Sequence, residues 1–482
     1  MARDELEARV RQVEQRLVVR GGTPAIPDRE STLADRMARL DTPGASVAVV
    51  EGGELAWAKG YGVRRAGGPD PVTSETRFLA GSISKPVAAL GVLRLVEQGV
   101  LALNTDINSY LRSWKMPPIG DWQPELTLRQ LLSHSAGLTV HGFPGYPAGR
   151  GLPTTAQILD GELPANTDPV RVTIVPGTQF RYSGGGTTIV QQVLEDVTGT
   201  PFAALMRELV LDPLGMHDST YEQPLPERLH SQAATGHRSG GAPIPGGWHT
   251  YPEMAAAGLW STASDLARFA LGIIRAWQGE AEAIISQEMA RQMLTPILPT
   301  FAPAGDLDTF VALGLFVNDD TDAPRFGHSG SDAGFTAQLY GWPAAGRAVA
   351  VMVNTDSHSG ADRLIDEVID AVQTAHGWQA AAPEHPPVEV VDPPRRDLDG
   401  TWVLPSGFKL IVLVRYGDLY LAPQGQPPMR LIRQDARAWA SEVLATRVEQ
   451  VIEDGRAVAL LLHQDGRTLR AVRRDGGLGM RG

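Results

Sequence analysis

The hydrophobic residues along most of the chain follow two different periods. Leu6, Val10, Val13 and Leu17 recur at steps of four and three, which predicts a helix over residues 3–19 with one apolar stripe. Such a stripe is typical of a surface helix lying on the main body, and a short dimer-forming coil is the alternative. Similar patterns predict helices at 33–40, 87–96, 186–197, 202–211, 264–276, 283–293 and 360–376, and strands at 45–50, 55–61, 311–317, 334–342 and 347–354.

One of these helices differs from the others. Residues 87–96 are apolar almost all round, so this helix is expected inside the core and not on the surface. Residues 139–180 are instead rich in glycine, proline and threonine, which predicts long loops over one face. The mixture of helices with hairpin-like strands favours an α+β body.

The last quarter of the chain has a different pattern. Residues 379–396 contain five prolines and no helical period, which predicts a linker. Residues 397–482 are strand-like throughout, with turn signals between the strands, and predict a small antiparallel barrel or sandwich. The predicted organisation is therefore an N-terminal helical extension (1–30), an α+β domain (31–378), the linker (379–396) and a β domain (397–482).

Composition narrows the classes of function. The 482 residues carry a net charge of −12, which disfavours nucleic acid as a partner. The chain has no cysteine, so disulfides, thiolate nucleophiles and cysteine-based metal sites are excluded. The N-terminus is charged and no long apolar run follows, so we expect a cytoplasmic protein with no membrane segment. The sequence also lacks the Gly-x-Ser-x-Gly, phosphate-loop and His-Glu-x-x-His motifs.

A candidate nucleophile precedes the buried helix. In Gly-Ser-Ile-Ser-Lys, Ser82 and Lys85 are one helical turn apart and face the same side. A serine at a helix start is close to backbone N–H groups, which stabilise a developing oxyanion. A lysine among apolar residues has a lowered pKa and can act as a base toward the serine. An N-cap serine followed by a chance lysine is the alternative at this point.

Two further motifs carry groups suited to catalysis. Tyr182 lies on a glycine-rich turn, where its hydroxyl can face a cleft and act as a base if nearby cations depress its pKa. His328 is followed by small residues before a predicted strand, so a ligand can lie along the strand edge. His134 and His141 have no third potential metal ligand near them in the sequence, and we expect structural hydrogen bonds for them.

The order Ser-x-x-Lys, Tyr-Ser-Gly, His-Ser-Gly resembles that of the penicillin-recognising serine hydrolases. These include class C β-lactamases, D-alanyl-D-alanine carboxypeptidases, D-aminopeptidases and esterase relatives. The phrases LRQLLSHSAGL, LDPLGM and AAGLWSTASDL at 128–138, 211–216 and 256–266 are also similar to that family, and the likeness covers roughly residues 30–376. The resemblance implies an antiparallel sheet flanked by helices, with a helical subdomain. The C-terminal strands are similar to the lipocalin-like domains that some members carry.

The resemblance also implies a role for each motif. Ser82 would be the acylated nucleophile, Lys85 its proton acceptor, and Tyr182 a proton relay to the leaving group or from the deacylating water. His328 stands where the family has a lysine, and would bind an acid group or polarise Tyr182. The backbone N–H groups of Ser82 and Ser331 would form the oxyanion hole. No metal or other cofactor is implied.

Gly184, Ser329 and Gly330 are the implied substrate-binding positions. Gly184 replaces the asparagine of Tyr-x-Asn, whose amide orients acyl-amide substrates in the family, and His328 replaces the lysine of Lys-Thr-Gly. Both changes favour an esterase or peptidase over an efficient β-lactamase. The predicted function is therefore a serine hydrolase acting on an ester or amide of a small or peptide-like substrate. Alternatives are an acyl transferase of the penicillin-binding-protein-type thioesterases that cyclise peptides, a weak β-lactamase, or a non-hydrolysing acyl-binding sensor. The sequence leaves open whether the protein forms a homo-oligomer.

Overall fold

The computed structural model divides the chain into two compact units. One unit comprises Met1–Val19, Glu30–Leu298 and Phe310–Trp378, and the other comprises Arg20–Arg29, Pro299–Thr309 and Gln379–Gly482. The predicted linker at 379–396 lies outside the described residues. The structure describes residues 3–19, 29–174, 176–177, 180–300, 310–318, 320, 324–357, 360–378, 398–404, 409–415, 418–423, 429–434, 437–441, 446–453, 456–464 and 467–473.

Up to residue 378 the described chain alternates between helices and strands. The helices are α1 (Arg3–Gln15), α2 (Leu33–Arg39), α3 (Ser84–Glu97), α4 (Leu128–Leu132), α5 (Thr155–Asp160), α6 (Gly184–Thr198), α7 (Phe202–Met206), α8 (Glu227–His230), α9 (Met254–Ala257), α10 (Ala263–Gln278), α11 (Gln287–Met293) and α12 (Ala361–Ala375). The strands are β1 (Leu17–Val19), β2 (Arg29–Ser31), β3 (Gly44–Glu51), β4 (Glu54–Gly62), β5 (Phe78–Leu79), β6 (Trp260–Ser261), β7 (Leu298–Pro299), β8 (Phe310–Val311), β9 (Phe316–Val317), β10 (Phe326–Asp332), β11 (Phe335–Trp342) and β12 (Arg347–Val353). Within the described ranges, no helix combines the length and the apolar character needed to cross a membrane.

An eight-stranded sheet forms the centre of this unit. Its strand order is β4-β3-β12-β11-β10-β9-β8-β7, and β3, β11 and β12 pair antiparallel with their neighbours. Every residue of Gly44–Val50 is buried, so β3 is covered on both faces. Helix α10 packs against β3, β11 and β12, and helix α12 also packs against β12. The predicted α+β body with an antiparallel sheet is confirmed.

Helix α3 is buried, as its sequence predicts. It runs over Ser84–Glu97 and starts three residues before the predicted boundary, directly after a 3-10 turn at Gly81–Ile83. Each residue of Val87–Leu93 is buried. Because apolar side chains cover the helix all round, it is surrounded by the core and holds its first turn in a fixed place.

The N-terminal helix lies on the main body, which is the first of the two alternatives from the sequence. The side chains of Val13 and Leu17 are fully buried. Arg9 forms an ion pair with Glu51 of β3 at 2.9 Å. The helix ends at Gln15, earlier than predicted, because the next residues pair as β1 with β2.

The predicted strand at 311–317 is wrong in detail. It consists of two short strands, β8 and β9, separated by a turn at Gly314. The backbone of Gly314 has a φ of +83°, and an added Cβ there would lie 2.4 Å from the Cβ of Ala89 on α3. The chain turns at the point where it contacts the buried helix. Only glycine permits both the positive φ and the close approach to Ala89.

The C-terminal strands form a closed barrel, so the barrel prediction is confirmed. Eight strands pair antiparallel in chain order, and the last also pairs with the first. Trp402 and Trp439 fill the interior, and the indole N–H of Trp402 donates to the carbonyl of Leu398 at 3.0 Å. The strands are β13 (Gly400–Val403), β14 (Lys409–Arg415), β15 (Asp418–Pro423), β16 (Met429–Arg433), β17 (Ala438–Ser441), β18 (Thr446–Glu453), β19 (Arg456–Gln464) and β20 (Arg467–Arg473).

We expect the two units to unfold in separate thermal transitions, since each has its own hydrophobic core. Trp402→Ala removes the largest buried side chain of the barrel and should cost about 3–5 kcal/mol there. Leu339→Ala, at a fully buried position of β11, is the matched change in the other unit. Calorimetry should show each variant lowering only its own transition. One transition that moves in both variants would contradict separate folding.

Candidate active site

The turn that carries Ser82 is held by hydrogen bonds on both sides. The hydroxyl of Ser84 donates to the carbonyl of Gly81 at 2.6 Å and accepts from the N–H of Leu259 at 3.0 Å. The N–H of Ala80 donates to the carbonyl of Leu259 at 2.8 Å. Ser82 itself is partly exposed, at the start of a helix that cannot shift within the core. Its hydroxyl therefore reaches solvent from a rigid support.

Lys85 lies against Ser82. Its ammonium nitrogen is 2.9 Å from the Ser82 Oγ and donates to the carbonyl of Ala256 at 2.8 Å. Burial lowers the pKa of Lys85 to about 7, and the negative charge of Asp332 acts in the opposite direction. A substantial fraction of neutral amine is therefore present near neutral pH, and this fraction can accept a proton from the serine. The structure brings the two predicted side chains together.

Tyr182 contacts the same pair. Its hydroxyl lies close enough to the Ser82 side chain for the two to interact, and the Lys85 nitrogen is 5.0 Å from the centre of its ring. It directly precedes Ser183, whose hydroxyl caps α6 by accepting from the N–H of Gly186 at 3.0 Å. Burial raises the pKa of Tyr182 well above its usual value, so the depressed pKa considered from the sequence does not occur. The side chain is a phenol that can both donate and accept a proton.

Two histidines flank the Tyr182 ring. The ring centres of His134 and His141 are 4.2 and 4.8 Å from that of Tyr182. The Nδ1 of His134 accepts from the N–H of Ser183 at 3.2 Å, as expected for a structural histidine. Burial and the charge of Lys85 hold the pKa of His134 well below its usual range. Their position beside Tyr182 could not be predicted from the sequence, because it depends on how the chain up to His141 folds back on the start of α6.

His328 is buried on β10 and uncharged. Its Nδ1 is 2.6 Å from the carbonyl of Ser329, and this contact places the ring proton on Nδ1. Burial lowers the pKa of His328 to about 3, and the charge of Lys85 adds to the effect. Among the described residues its Nε2 has no hydrogen-bond partner. His328 therefore offers a lone pair and not the positive charge that a lysine would supply.

Strand β10 runs directly against the turn that carries Ser82. A Cβ added at Gly330 would lie 1.9 Å from the carbonyl oxygen of Ala80 and 3.2 Å from the backbone nitrogen of Ser82. One added at Gly81, where φ is +54°, would lie 2.5 Å from the backbone nitrogen of Ser331. The backbone nitrogens predicted for the oxyanion hole thus belong to two segments in contact.

The pairing of β10 with β9 covers only the first residues of the strand. In the described pairing, β9 is in register only with Phe326 and Gly327. Side chains alternate along the strand, with those of His328 and Asp332 buried and those of Ser329 and Ser331 exposed. The predicted residue Ser329 thus faces outward, on the other side of the strand from His328.

Two buried acids of the site were not predicted from the sequence. Asp332 is buried on β10, and burial raises its pKa well above the usual range. Glu253 is fully buried directly before α9, and burial raises its pKa to about 8. Asp332 could have been found from its spacing, since it lies four residues after His328 on the same face of a strand. In the described part of the chain, no three acidic or histidine side chains are grouped so as to hold a metal ion.

Two proteins of similar sequence support the family resemblance seen in the motifs. An esterase from Burkholderia gladioli, EstB, is 31% identical over 193 residues, which are 39% of this chain and 49% of the esterase. Penicillin-binding protein 4 from Amycolatopsis lactamdurans is 28% identical over 325 residues, which are 65% of this chain and 81% of that protein. The chain thus spans about half the length of the esterase and four-fifths of the penicillin-binding protein.

Comparison of structures and of family profiles extends the likeness to most of the chain. The octameric penicillin-binding protein homologue from Pyrococcus abyssi superposes with a TM-score of 0.55 at 22% identity, covering 91% of this chain and 98% of its own, which shows a shared fold. The profile of the beta-lactamase family matches residues 29–373. The chain belongs to the beta-lactamase family of serine hydrolases.

Proposed function

We propose that this protein hydrolyses an ester or amide bond through an acyl-enzyme formed on Ser82. The observation that carries the proposal is the contact of the Ser82 hydroxyl with the nitrogen of a buried lysine at 2.9 Å, with the ring of Tyr182 centred 5.0 Å from the same nitrogen. A nucleophile in contact with a base and a second proton carrier is the arrangement that acyl transfer needs. The names of the relatives, an esterase and a penicillin-binding protein, support the same class of reaction.

In the acylation step, the neutral amine of Lys85 takes the proton of the Ser82 hydroxyl. The serine oxygen then bonds to the carbonyl carbon of the substrate. The negative charge that develops on the carbonyl oxygen is stabilised by the backbone N–H groups of Ser82 and Ser331 and by the positive end of the α3 dipole. The proton on Lys85 passes through the Tyr182 hydroxyl to the leaving oxygen or nitrogen as the substrate bond breaks.

Deacylation uses the same groups in reverse. A water molecule gives a proton to the Tyr182 oxygen, whose own proton moves to Lys85, and the water oxygen bonds to the acyl carbon. The bond between the acyl carbon and the Ser82 oxygen then breaks, and this oxygen takes the proton from Lys85. This step regenerates the enzyme and releases a carboxylic acid. Since Tyr182 remains a phenol at neutral pH, it transfers protons without carrying a lasting charge.

The β10 edge and His328 provide the substrate contacts. An extended acyl chain or a peptide-like segment can lie along residues 328–332, where β9 does not pair with the strand. The unpaired Nε2 of His328 accepts a hydrogen bond from a substrate N–H or hydroxyl. A buried acceptor without a partner costs free energy, so a donor on the substrate that satisfies it gains affinity.

Ser82→Ala should abolish both ester turnover and covalent labelling by a fluorophosphonate, because the acyl intermediate cannot form without the hydroxyl. Intact mass measurement with peptide mapping detects the label. Ser109→Ala is the matched control, since Ser109 ends another 3-10 turn and its side chain is exposed. Labelling of the Ser82→Ala variant on a different serine would show that the nucleophile has been misassigned.

Acylation should become faster with rising pH and level off above about 7. The pKa of Lys85 is lowered to about 7 by burial, so below that pH the amine is protonated and cannot accept the serine proton. The rate of fluorophosphonate labelling, measured from about pH 5 to about pH 9, follows this rise and its plateau. Lys85→Arg should be unreactive throughout, because a guanidinium stays protonated. A labelling rate that rises with an apparent pKa near the ordinary lysine value of about 10.4 would contradict this role.

Tyr182→Phe should slow the hydrolysis of an anilide far more than that of a nitrophenyl ester with the same acyl group. A nitrophenolate leaves without a proton, whereas an amide nitrogen must be protonated as it leaves. We expect a difference of about a hundredfold, the lower end of the range for general acid–base catalysis. Steady-state kinetics on the two substrates give the comparison. Equal losses would rule out the role in leaving-group protonation.

A further inference from the structure

The start of α6 is packed unusually closely against the segment 138–143. Three consecutive glycines, Gly184–Gly186, form this first turn. A Cβ added at Gly185 would lie 2.7 Å from the side chain of Val170, and one added at Gly184 would lie 3.0 Å from the ring of Phe143 and 3.1 Å from the carbonyl oxygen of His141. The glycine at 184 therefore leaves room that an aromatic ring from another segment takes.

The ring of Phe143 cannot easily move away, because the backbone is anchored on both sides of it. Before it, the carbonyls of Val140 and His141 accept from the N–H groups of Gly185 and Gly184 at 3.1 and 3.0 Å. After it, His249 donates to the carbonyl of Pro144 at 2.9 Å.

Gly145, the residue after Pro144, is also held in place. A Cβ added at Gly145 would lie 2.5 Å from the ring of Tyr251, and the side-chain amide of Asn166 donates to the Gly145 carbonyl at 3.0 Å. Phe143 itself is half-buried and packs against the core. The backbone that carries the ring is thus held in place on both sides, with the ring packed against the core.

The Phe143 ring lies beside the reacting groups. Gly184 is two residues after Tyr182, and His141, two residues before Phe143, has its ring centre 4.8 Å from that of Tyr182. Where the family resemblance implies an asparagine at 184, this chain has the Phe143 ring 3.0 Å from the position that a Cβ at 184 would occupy. An amide group of a substrate placed against that ring loses water without gaining a hydrogen bond, whereas an alkyl group gains apolar contact.

We propose that Phe143 determines specificity, and that with Gly184 it selects esters whose acyl chain is apolar near the scissile carbonyl over substrates with an acylamino group there. The inference rests on the proposed function, since it needs Ser82 to form the acyl-enzyme. It adds a substrate class to that function.

Two esters test the proposal without any change of leaving group. 4-Nitrophenyl pentanoate and 4-nitrophenyl N-acetylglycinate have acyl chains with the same number of chain atoms, and only the second contains an amide. The selectivity is the kcat/KM for the pentanoate divided by that for the N-acetylglycinate, each corrected for spontaneous hydrolysis. It is compared between variants, so that the different intrinsic reactivity of the two esters cancels.

The wild type, Phe143→Ala, Gly184→Asn and the double variant form a cycle. Phe143→Ala should lower the selectivity about tenfold, because the apolar contact is lost. Gly184→Asn alone should slow both esters, since the new side chain meets the Phe143 ring. In the double variant the asparagine has room and can bond the substrate amide, so the selectivity should fall about another tenfold below that of Phe143→Ala. Gly151→Asn is the matched control, because a Cβ there meets nothing within 4 Å and the selectivity should stay unchanged.

The outcomes separate this inference from the proposed function. Fluorophosphonate labelling of Ser82 is measured on every variant, and a wild type that is not labelled would overturn the proposed function itself. If Ser82 is labelled and both Phe143→Ala and the double variant keep the wild-type selectivity, only the specificity role is wrong. If the double variant does not fold, Phe143→Gln places an amide at the ring's position without touching Gly184. It should lower the selectivity at least as much as Phe143→Ala, and wild-type selectivity in Phe143→Gln would overturn the inference.

Discussion

The close contact between β10 and the turn at Gly81–Ile83 determines the geometry of the whole site. Glycines on both sides permit it, since a Cβ at Gly330 would overlap the Ala80 carbonyl and one at Gly81 would overlap the backbone of Ser331. The contact brings the two predicted oxyanion-hole segments together, and it places the inner face of β10 over Lys85. Any side chain at either glycine would push the strand from the turn and separate the nucleophile from the groups that act on it.

Burial then sets the charge state of the site. Three of its basic side chains, Lys85, His134 and His328, have lowered pKa values because they have lost contact with water, and the charge of Lys85 lowers those of the two histidines further. The pKa values of the acids Asp332 and Glu253 are raised for the same reason. A low-dielectric site of this kind favours neutral groups that exchange protons over fixed ion pairs.

The sequence was most informative where function and packing depend on local pattern. The Ser82–Lys85 spacing and the apolar surroundings of α3 correctly placed the two side chains together on a buried helix. Contacts between distant segments were not predictable in the same way. The turn at Gly314 depends on Ala89, and the position of Phe143 at Gly184 depends on how a long loop folds back on α6. Hydrophobic periodicity contains no information on such contacts. From the sequence, Gly184 was therefore interpreted only as the loss of an amide, and the packing of the Phe143 ring against it was not predicted.

The central claim is that a buried, partly neutral lysine activates Ser82, and an NMR titration of the lysine side chains tests it most directly. The chain contains only four lysines, so a ¹³Cε-lysine sample gives few signals, and Lys85→Arg assigns the relevant one. Lys85 should titrate near pH 7, because burial lowers its pKa to about 7. A Lys85 signal that titrates near the ordinary lysine pKa of about 10.4 would contradict the account, since a permanently charged ammonium cannot take the proton of the serine.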